Sequence, residues 1–539
     1  MKTFYITTPI YYANSLPHLG HLYTTIVADV IAKHKIQRGF DTYFLTGTDE
    51  HGVNIQRAAE KNNRTPKEQV DYVSGALKKM FADFGLTDYD IFMRTTEPFH
   101  YEAVQNLWKQ IASNKTPKGN ETIYKGFYEG CFCAPCAEFK TEDEYYTVEG
   151  SDIPMCKIHE RPLDKVSEES YFFRLSDYDE FLIEQIENNQ DLVRPEARKN
   201  EVLSFIRGGL QDLSISREKK SVSWGIPVPG DENHVMYVWL DALSNYITAI
   251  GYGNDERQNV GFEKYWQNVT HLVGKDILRF HTVYWFSFLK AAGIELPKTV
   301  YAHGMWLDAD GKKMSKTIGN IIKPEILHEH FQTDAVRYFV LTEMVFGQDG
   351  NFSYEKLIEK TTADLANGLG NLSSRTLSMI RKYRDAKIPD GKIREENYIF
   401  AKRAGISGDE QELASVLENA RNEFIRRFDS FEFSQALEII WQVIGRIDKM
   451  ITDSKPWGLI KDEQQAETLN AVLYRATETL RWLCVLLYPV LPEATKSIYA
   501  QIGLSEDIEK INPENLEYGE LKVGTEIGET LPVFPRIDK

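Results

Sequence analysis

Residues 3–49 run TFYITTPIYY, then ANSLP, then HLGHLYTTIVADVIAKHKIQRGF, then DTYFLTGTD. The first stretch is β-prone, and residues 9–17 hold two prolines and an Asn-Ser pair, which makes a loop. From Leu19 onward, Leu22, Ile26 and Val30 recur at helical spacing, and Gly39 supplies a stop. DTYFLTGTD reads as a second strand ending in a turn. Strand, loop, helix, strand is the opening of a parallel α/β sheet. HVMYVWLDALSNYITAI and VTHLVGKDILRFHTVYWFSFLKAAGI resume that rhythm, whereas residues 120–165, rich in Cys, Gly and Pro, interrupt it.

A chain of 539 residues exceeds one core, so two to four structural units are expected. Beyond about residue 360 the pattern turns almost wholly helical. Phe433, Leu437, Ile440, Ile444, Ile447 and Ile451 make one apolar stripe, and Leu469, Leu473, Ala476, Leu480, Leu483 and Leu487 another, as in packed helices. No apolar run approaches twenty residues, and the KTFYITT start lacks the basic and apolar regions of a secretory signal. Five cysteines, four of them between 131 and 156, fit a reduced compartment with a local metal site better than a disulfide framework. The net charge of −17 weighs against nucleic acid, yet residues 371–403 carry nine Lys/Arg against four Asp/Glu, which leaves room for a local basic face.

PHLGH (17–21) sits where the loop enters the first helix. His18 and His21, three apart, share one helical face at an N-terminus whose unpaired N–H groups attract anions. Gly20 lets a planar group lie against the backbone. Two imidazoles there can donate to phosphate oxygens as charge builds on them. Residues 310–317, DGKKMSKT, form a lysine-bearing loop between Gly311 and Gly319. Ammonium groups on such a loop can neutralise a departing pyrophosphate. Further on, Cys133-x-x-Cys136 and Cys156-x-x-His159 are two short knuckles separated by nineteen residues, a donor set for tetrahedral, structural zinc with one ion per chain. Cys131 is the alternative ligand, and Cys484 falls in an apolar helical stripe and reads as core.

PHLGH followed by KMSKT in this order and at this distance resembles the paired nucleotide-binding motifs of class I aminoacyl-tRNA synthetases. TGTDEHG (46–52), YVWLDALSNY (237–246), GKDILRFH (274–281), GNLSSR (370–375) and SKPWGLI extend the resemblance over nearly the whole chain, to the methionine-specific members of that family. The resemblance implies a Rossmann-like parallel sheet split by a zinc-bearing insertion and followed by an all-α anticodon-binding bundle. The expected divisions are 1–115 and 231–305 for the two catalytic halves, 116–230 for the insertion, 306–360 for the KMSKT linker and 361–539 for the helical domain with its tail.

It further implies that His18, His21, Lys313 and Lys316 act in catalysis. Pro17, His18, Gly20, His21, Lys313, Met314, Ser315, Lys316 and Thr317 would bind ATP, with Mg²⁺ accompanying the nucleotide. Methionine would lie among Ile10, Tyr12, Trp239, Ala242, Leu243, Tyr246, Ile277, Phe280 and His281, with its ammonium on Asp49. His51 and Gly52 extend that site. Methionine suits such a pocket because its thioether is flexible and polarizable. Asn371, Arg375 and Trp457 match positions that contact the anticodon; Asn371 and Arg375 stand at i and i+4 on one helical face, and Trp457 is expected in a loop between helices. The partners implied are ATP, L-methionine and tRNA(Met), for a cytoplasmic enzyme. Some family members append a dimerising tRNA-binding module after the helical domain; with none after it here, a monomer is expected. Two rivals remain: a class I synthetase for leucine or isoleucine, which the short insertion disfavours, and a tRNA-binding scaffold that has lost catalysis, which the retained His18, His21 and Lys316 disfavour.

Overall fold

A computed structural model of the chain describes residues 2–133, 138–140, 144–148, 151–158, 160–314, 319–406 and 411–535. It divides into two compact units: residues 3–28 with 43–303, and residues 1–2, 29–42 and 304–539.

The first unit is built on a six-stranded sheet. Its strands are β1 (Thr3–Tyr12), β2 (Asp41–Asp49), β3 (Ile91–Arg94), β4 (Val193–Arg194), β5 (Val269–Gly274) and β6 (Thr299–His303). Their spatial order is β3–β2–β1–β5–β6–β4. The β2–β3, β1–β5, β5–β6 and β6–β4 pairings are all parallel, with Tyr5 opposite Val269 and Gly274 opposite His303. The central strands are buried runs, as expected when helices cover both faces. From β1 the chain winds outward to β3, then returns to lay β5 on the other side of β1. That reversal is a topological switch point, and ligands of open α/β sheets sit outside the carboxyl ends of the strands there. Helix α1 (Leu19–Gln37) leaves β1 at this point, and helix α2 (Val238–Thr248) carries the YVWLDALSNY block.

Between β3 and β5 lies an antiparallel sheet whose longest pair, Ile123–Cys133 with Asp164–Phe173, runs in register from Ile123 opposite Phe173 to Phe132 opposite Asp164. The short strand Pro154–Cys156 pairs with Tyr145–Thr147. The interruption expected over residues 120–165 is thus bracketed by the two strands of a long β-arm.

In the second unit the helices include α3 (Asn371–Tyr383), α4 (Gln411–Asp429), α5 (Phe433–Ser454), α6 (Ala466–Leu487) and α7 (Pro492–Gln501). Both expected stripes are buried. α5 keeps a polar face, but α6 is buried around nearly its whole circumference, because α3, α4, α5 and α7 all pack on it. One buried ion pair lies within the helix: Glu478 receives Arg481 on both oxygens, at 2.9 and 2.7 Å. Cys484 is buried in α6, which pushes its thiol pKa up, as a core residue. Among the described residues no helix is long and apolar enough to cross a membrane.

Candidate active site

The turn from β1 into α1 is held by its own histidines. The backbone N–H of Gly20 donates to Nδ1 of His18 at 3.0 Å, and the N–H of His18 donates to Nδ1 of His21 at 3.2 Å. An N–H facing each Nδ1 makes that atom the acceptor, so the proton of each neutral ring sits on Nε2. The rings stack with centroids 3.9 Å apart. The stacked rings thus carry two Nε2–H groups beside a helix N-terminus, where a phosphate oxygen is favoured. A Cβ on residue 20 would lie 2.9 Å from Cε1 of His18. The planar group lying against Gly20 is thus the His18 imidazole, and glycine is what lets it fold there. Below, the Tyr11 ring packs on His21 at 4.6 Å, and its hydroxyl bonds the His21 carbonyl and Thr25. Thr24 hydrogen-bonds Nε2 of His303, at the end of β6, at 2.8 Å.

The expected amino-acid pocket assembles from three segments. Ile10 and Tyr12 share one side of β1, two residues apart. Trp239, Ala242, Leu243 and Tyr246 recur on one face of α2, all buried. Phe280 and His281 lie in a π-helical turn, Phe280–Tyr284, rather than a regular α-helix. Single π turns are rare and reset which side chains face a site. Trp239 stacks on Phe280 with centroids 3.8 Å apart and meets Tyr12 edge-on at 6.3 Å. His281 Nδ1 bonds the Ile277 carbonyl at 2.9 Å, so Nδ1 carries the proton and Nε2 accepts from the Tyr246 hydroxyl at 2.7 Å. Burial holds the His281 pKa down to about 4, so the ring is neutral at pH 7. The lining is therefore aromatic, and the polar hydrogens of His281 and Tyr246 are committed to the Ile277 carbonyl and the His281 ring, which suits an uncharged thioether.

Asp49 ends β2, buried, with the His51 backbone N–H 3.5 Å from Oδ1. Burial first, and then the nearby Asp241 carboxylate, push its pKa well above the usual range. An arriving ammonium relieves both penalties. The loop after it is pinned: Glu50 accepts from Thr48, Ser74, Arg94 and Thr96, and the Trp224 indole donates to the Glu50 carbonyl at 2.6 Å.

In the helical unit, Trp457 does not lie in a loop. It sits in a single-turn helix, Pro456–Leu459, entered from Lys455 at φ 50°, and is 47% exposed. The Arg375 guanidinium lies 5.7 Å from the Trp457 ring centroid and pairs with Asp448 at 2.9 Å. Asn371 is exposed one turn before Arg375. The basic run is partly neutralised, since Arg394 pairs with Glu467 at 2.5 Å as Arg375 does with Asp448.

The model of the "tRNA synthetases class I (M)" family matches residues 4–377. The chain belongs to this family. Among its curated relatives, a protein named methionine–tRNA ligase from Caldanaerobacter subterraneus subsp. tengcongensis is 44% identical over 539 residues, covering all of this chain and 79% of that one. A methionine–tRNA ligase from Thermotoga maritima is 40% identical over 99% of this chain and 80% of its own. Among solved structures, Mycobacterium tuberculosis methionyl-tRNA synthetase in complex with methionyl-adenylate superposes with a TM-score of 0.90 at 37% identity, covering 99% of this chain and all of that one. The apo form of the same enzyme gives 0.83 at 35% identity.

Family membership leaves three sets of site residues to place. Lys313 and Met314 are described, Lys313 exposed in a bridge with Leu307, while Ser315, Lys316 and Thr317 lie outside the described residues. Of the zinc set, Cys133 and Cys156 are fully buried in one cluster with Leu163, against which Cys131 and Tyr145 pack. Cys136 and His159 lie outside the described residues, and among those described no group of three His, Cys, Asp or Glu side chains is poised to hold a metal. Lastly, some residues at the strand ends carried no sequence signal of their own. His303 at the end of β6 is one, and Asp276, whose Oδ1 lies 2.6 Å from where a Cβ on Gly274 would be, is another. Both emerge only once β5 is seen beside β1 and β6 beside β5.

Proposed function

We infer that the chain is an ATP-dependent ligase that activates L-methionine and transfers it to tRNA(Met). The observation that carries this reading is the meeting, at the β1–β5 switch point, of two Nε2–H donors on a helix N-terminus with an aromatic pocket and a buried carboxylate. The substrate carboxylate attacks the α-phosphorus of ATP; the bond to the β-phosphate oxygen breaks, giving methionyl-adenylate and pyrophosphate. The ribose 2′-hydroxyl of the tRNA terminus then attacks the acyl carbon and AMP departs. His18 and His21 donate to phosphate oxygens as charge accumulates, and Lys313 and Lys316 do so for the pyrophosphate. Catalysis by positioned donors of this kind needs no covalent intermediate. Mg²⁺ bound with ATP supplies further charge neutralisation. Asp49 takes the ammonium; Ile10, Tyr12, Trp239, Ala242, Leu243, Tyr246, Ile277, Phe280 and His281 take the side chain; Pro17, Gly20, Met314, Ser315 and Thr317 complete the nucleotide site. Asn371, Arg375 and Trp457 read the anticodon by stacking and base-edge hydrogen bonds.

Structural zinc on Cys133, Cys136, Cys156 and His159 is part of this reading. Two thiols buried in one cluster suit a soft, closed site, where zinc would supply folding energy to the β-arm. Reduced thiolates of this kind fit a cytoplasmic enzyme. The functional divisions follow the family's plan: catalytic halves 1–115 and 231–305, insertion 116–230, linker 306–360, helical domain 361–539. The test is amino-acid-dependent ATP–pyrophosphate exchange across all twenty amino acids. Methionine alone is expected to support strong exchange; leucine or isoleucine exceeding it overturns the pocket assignment. Native mass spectrometry is expected to show a monomer with one zinc.

A further inference from the structure

The carboxylate of Asp241 is fully buried in the first turn of α2, two residues after Trp239 and one before Ala242. Each of its oxygens meets a different imidazole. His51 Nδ1 lies 2.6 Å from Oδ2, and His100 Nε2 lies 2.8 Å from Oδ1. A carboxylate only accepts, so both nitrogens donate. In a neutral ring the far nitrogen is an acceptor, and each has a hydroxyl beside it: Tyr101 at 2.8 Å from His51 Nε2, and Thr248, at the end of α2 itself, at 2.7 Å from His100 Nδ1. Every nitrogen of both rings is thus within hydrogen-bond distance of a partner. The imidazoles overcome the cost of burial and bring Asp241 down to about 2, so its charge is permanent at pH 7.

A buried charge is costly, and apolar packing usually replaces such a pair without loss of stability. Its position gives this one a use. His51 is two residues beyond Asp49, in a loop already pinned through Glu50 and Trp224. Asp241 is on the helix that presents Trp239 and Tyr246. The hydrogen bond joins two segments 190 residues apart, one holding the ammonium site and the other the side-chain pocket.

We propose that Asp241, clamped between His51 and His100, is a positioning residue that sets the register of Asp49 against the side-chain pocket, so that the substrate ammonium and thioether are held at a fixed separation. This rests on the reading of Asp49 and α2 as the methionine site.

The test compares ligands with and without an amino group. Asp241→Asn offers one acceptor in place of two and forces one imidazole to turn or lose its partner. It should raise KM for methionine in pyrophosphate exchange at least tenfold, with KM for ATP changed less than twofold. Binding of 4-(methylthio)butanoate, which lacks the ammonium, should weaken less than twofold. Equal losses for both ligands, or none for methionine, overturn the proposal. His100→Leu should reproduce the defect, and His100→Gln, which restores an N–H donor toward Asp241, should recover most of it; failure of that recovery counts against the proposal. Should these variants not fold, ¹⁵N NMR of the unaltered protein decides instead. The proposal requires the proton of His51 on Nδ1 and that of His100 on Nε2, both hydrogen-bonded downfield; either proton on the other nitrogen overturns it. Absence of methionine-dependent exchange in the unaltered protein defeats the functional reading alone, since the imidazole assignments are read without substrate.

Discussion

The two regions proposed to deal with substrates solve opposite problems. In the first unit the candidate residues are interior. His51, Asp49, Asp241, Tyr246 and His281 are buried and His21 partly so, and each is hydrogen-bonded within the unit. In the helical unit Trp457 is 47% exposed and Arg375 is shared between its ring and Asp448 on the surface. A small reactive ligand calls for preorganised dipoles in a dry site, where each is worth most. An unstacked base supplies its own rigid face and needs only a platform and a guanidinium. Substitutions in the first region should therefore be punished in rate and those in the second in tRNA affinity.

The largest expected effect is at His21. His21→Ala removes one Nε2–H donor and should lower the rate of exchange about 10²–10³-fold, as for a lost oxyanion donor. Thermal unfolding should move little; an undiminished rate in a well-folded variant would remove the phosphate role.

Acid should strike both regions through buried imidazoles. Burial holds His281 in the first unit and His34 in the second down to about 4. The unfolded chain takes up these protons near pH 6.5, the folded chain only near 4, so between those values the unfolded state binds more protons and stability rises with pH. Lowering the pH from 6.5 to 4 should remove about 3 kcal/mol per ring and nothing further from these groups below that. Urea titrations at pH 4, 5, 6 and 7 measure it. His34→Gln should flatten the slope; an identical slope in that variant refutes the assignment.

Trp457→Ala comes next. Loss of one stacked base costs about 1–3 kcal/mol, so kcat/KM for tRNA should drop roughly ten- to hundredfold while methionine-dependent exchange without tRNA stays normal. A parallel fall in both would make Trp457 a folding residue instead.

Smallest is Asp448→Ala. The Arg375–Asp448 pair is partly exposed, and such pairs are worth about 0–1 kcal/mol. Aminoacylation should fall less than about fivefold, and exchange not at all. A hundredfold loss would mean that the anticodon face is as rigid as the active site, and the contrast drawn above would fail.

What was legible in the sequence tracks how local each signal is. The β1–α1–β2 unit and the α5 stripe follow from period alone, and the PHLGH histidines needed only their place at a helix start. Trp457 in a helical turn was not legible, because a positive φ at Lys455 has no marker when the residue is not glycine. Nor was the π turn at Phe280–Tyr284, whose i, i+3, i+4 spacing looks the same as that of a regular helix. The Asp241 clamp was invisible for a stronger reason. His51, His100 and Asp241 are ordinary residues separated by 141 residues or more along the chain on the Asp241 side, and only the sheet order brings them together.

The pairing of β1 with β5 has a consequence for synthesis. Tyr5 must wait for Val269, its partner 264 positions later. At about 5–20 residues per second the ribosome takes roughly 13–50 s to supply it. Through that interval one edge of β1, with its buried-type sequence TFYITTPIYY, has no neighbour, and an open apolar edge invites pairing with other chains. Nascent copies of this protein should therefore lean on chaperones until the fifth strand emerges, however stable the finished sheet.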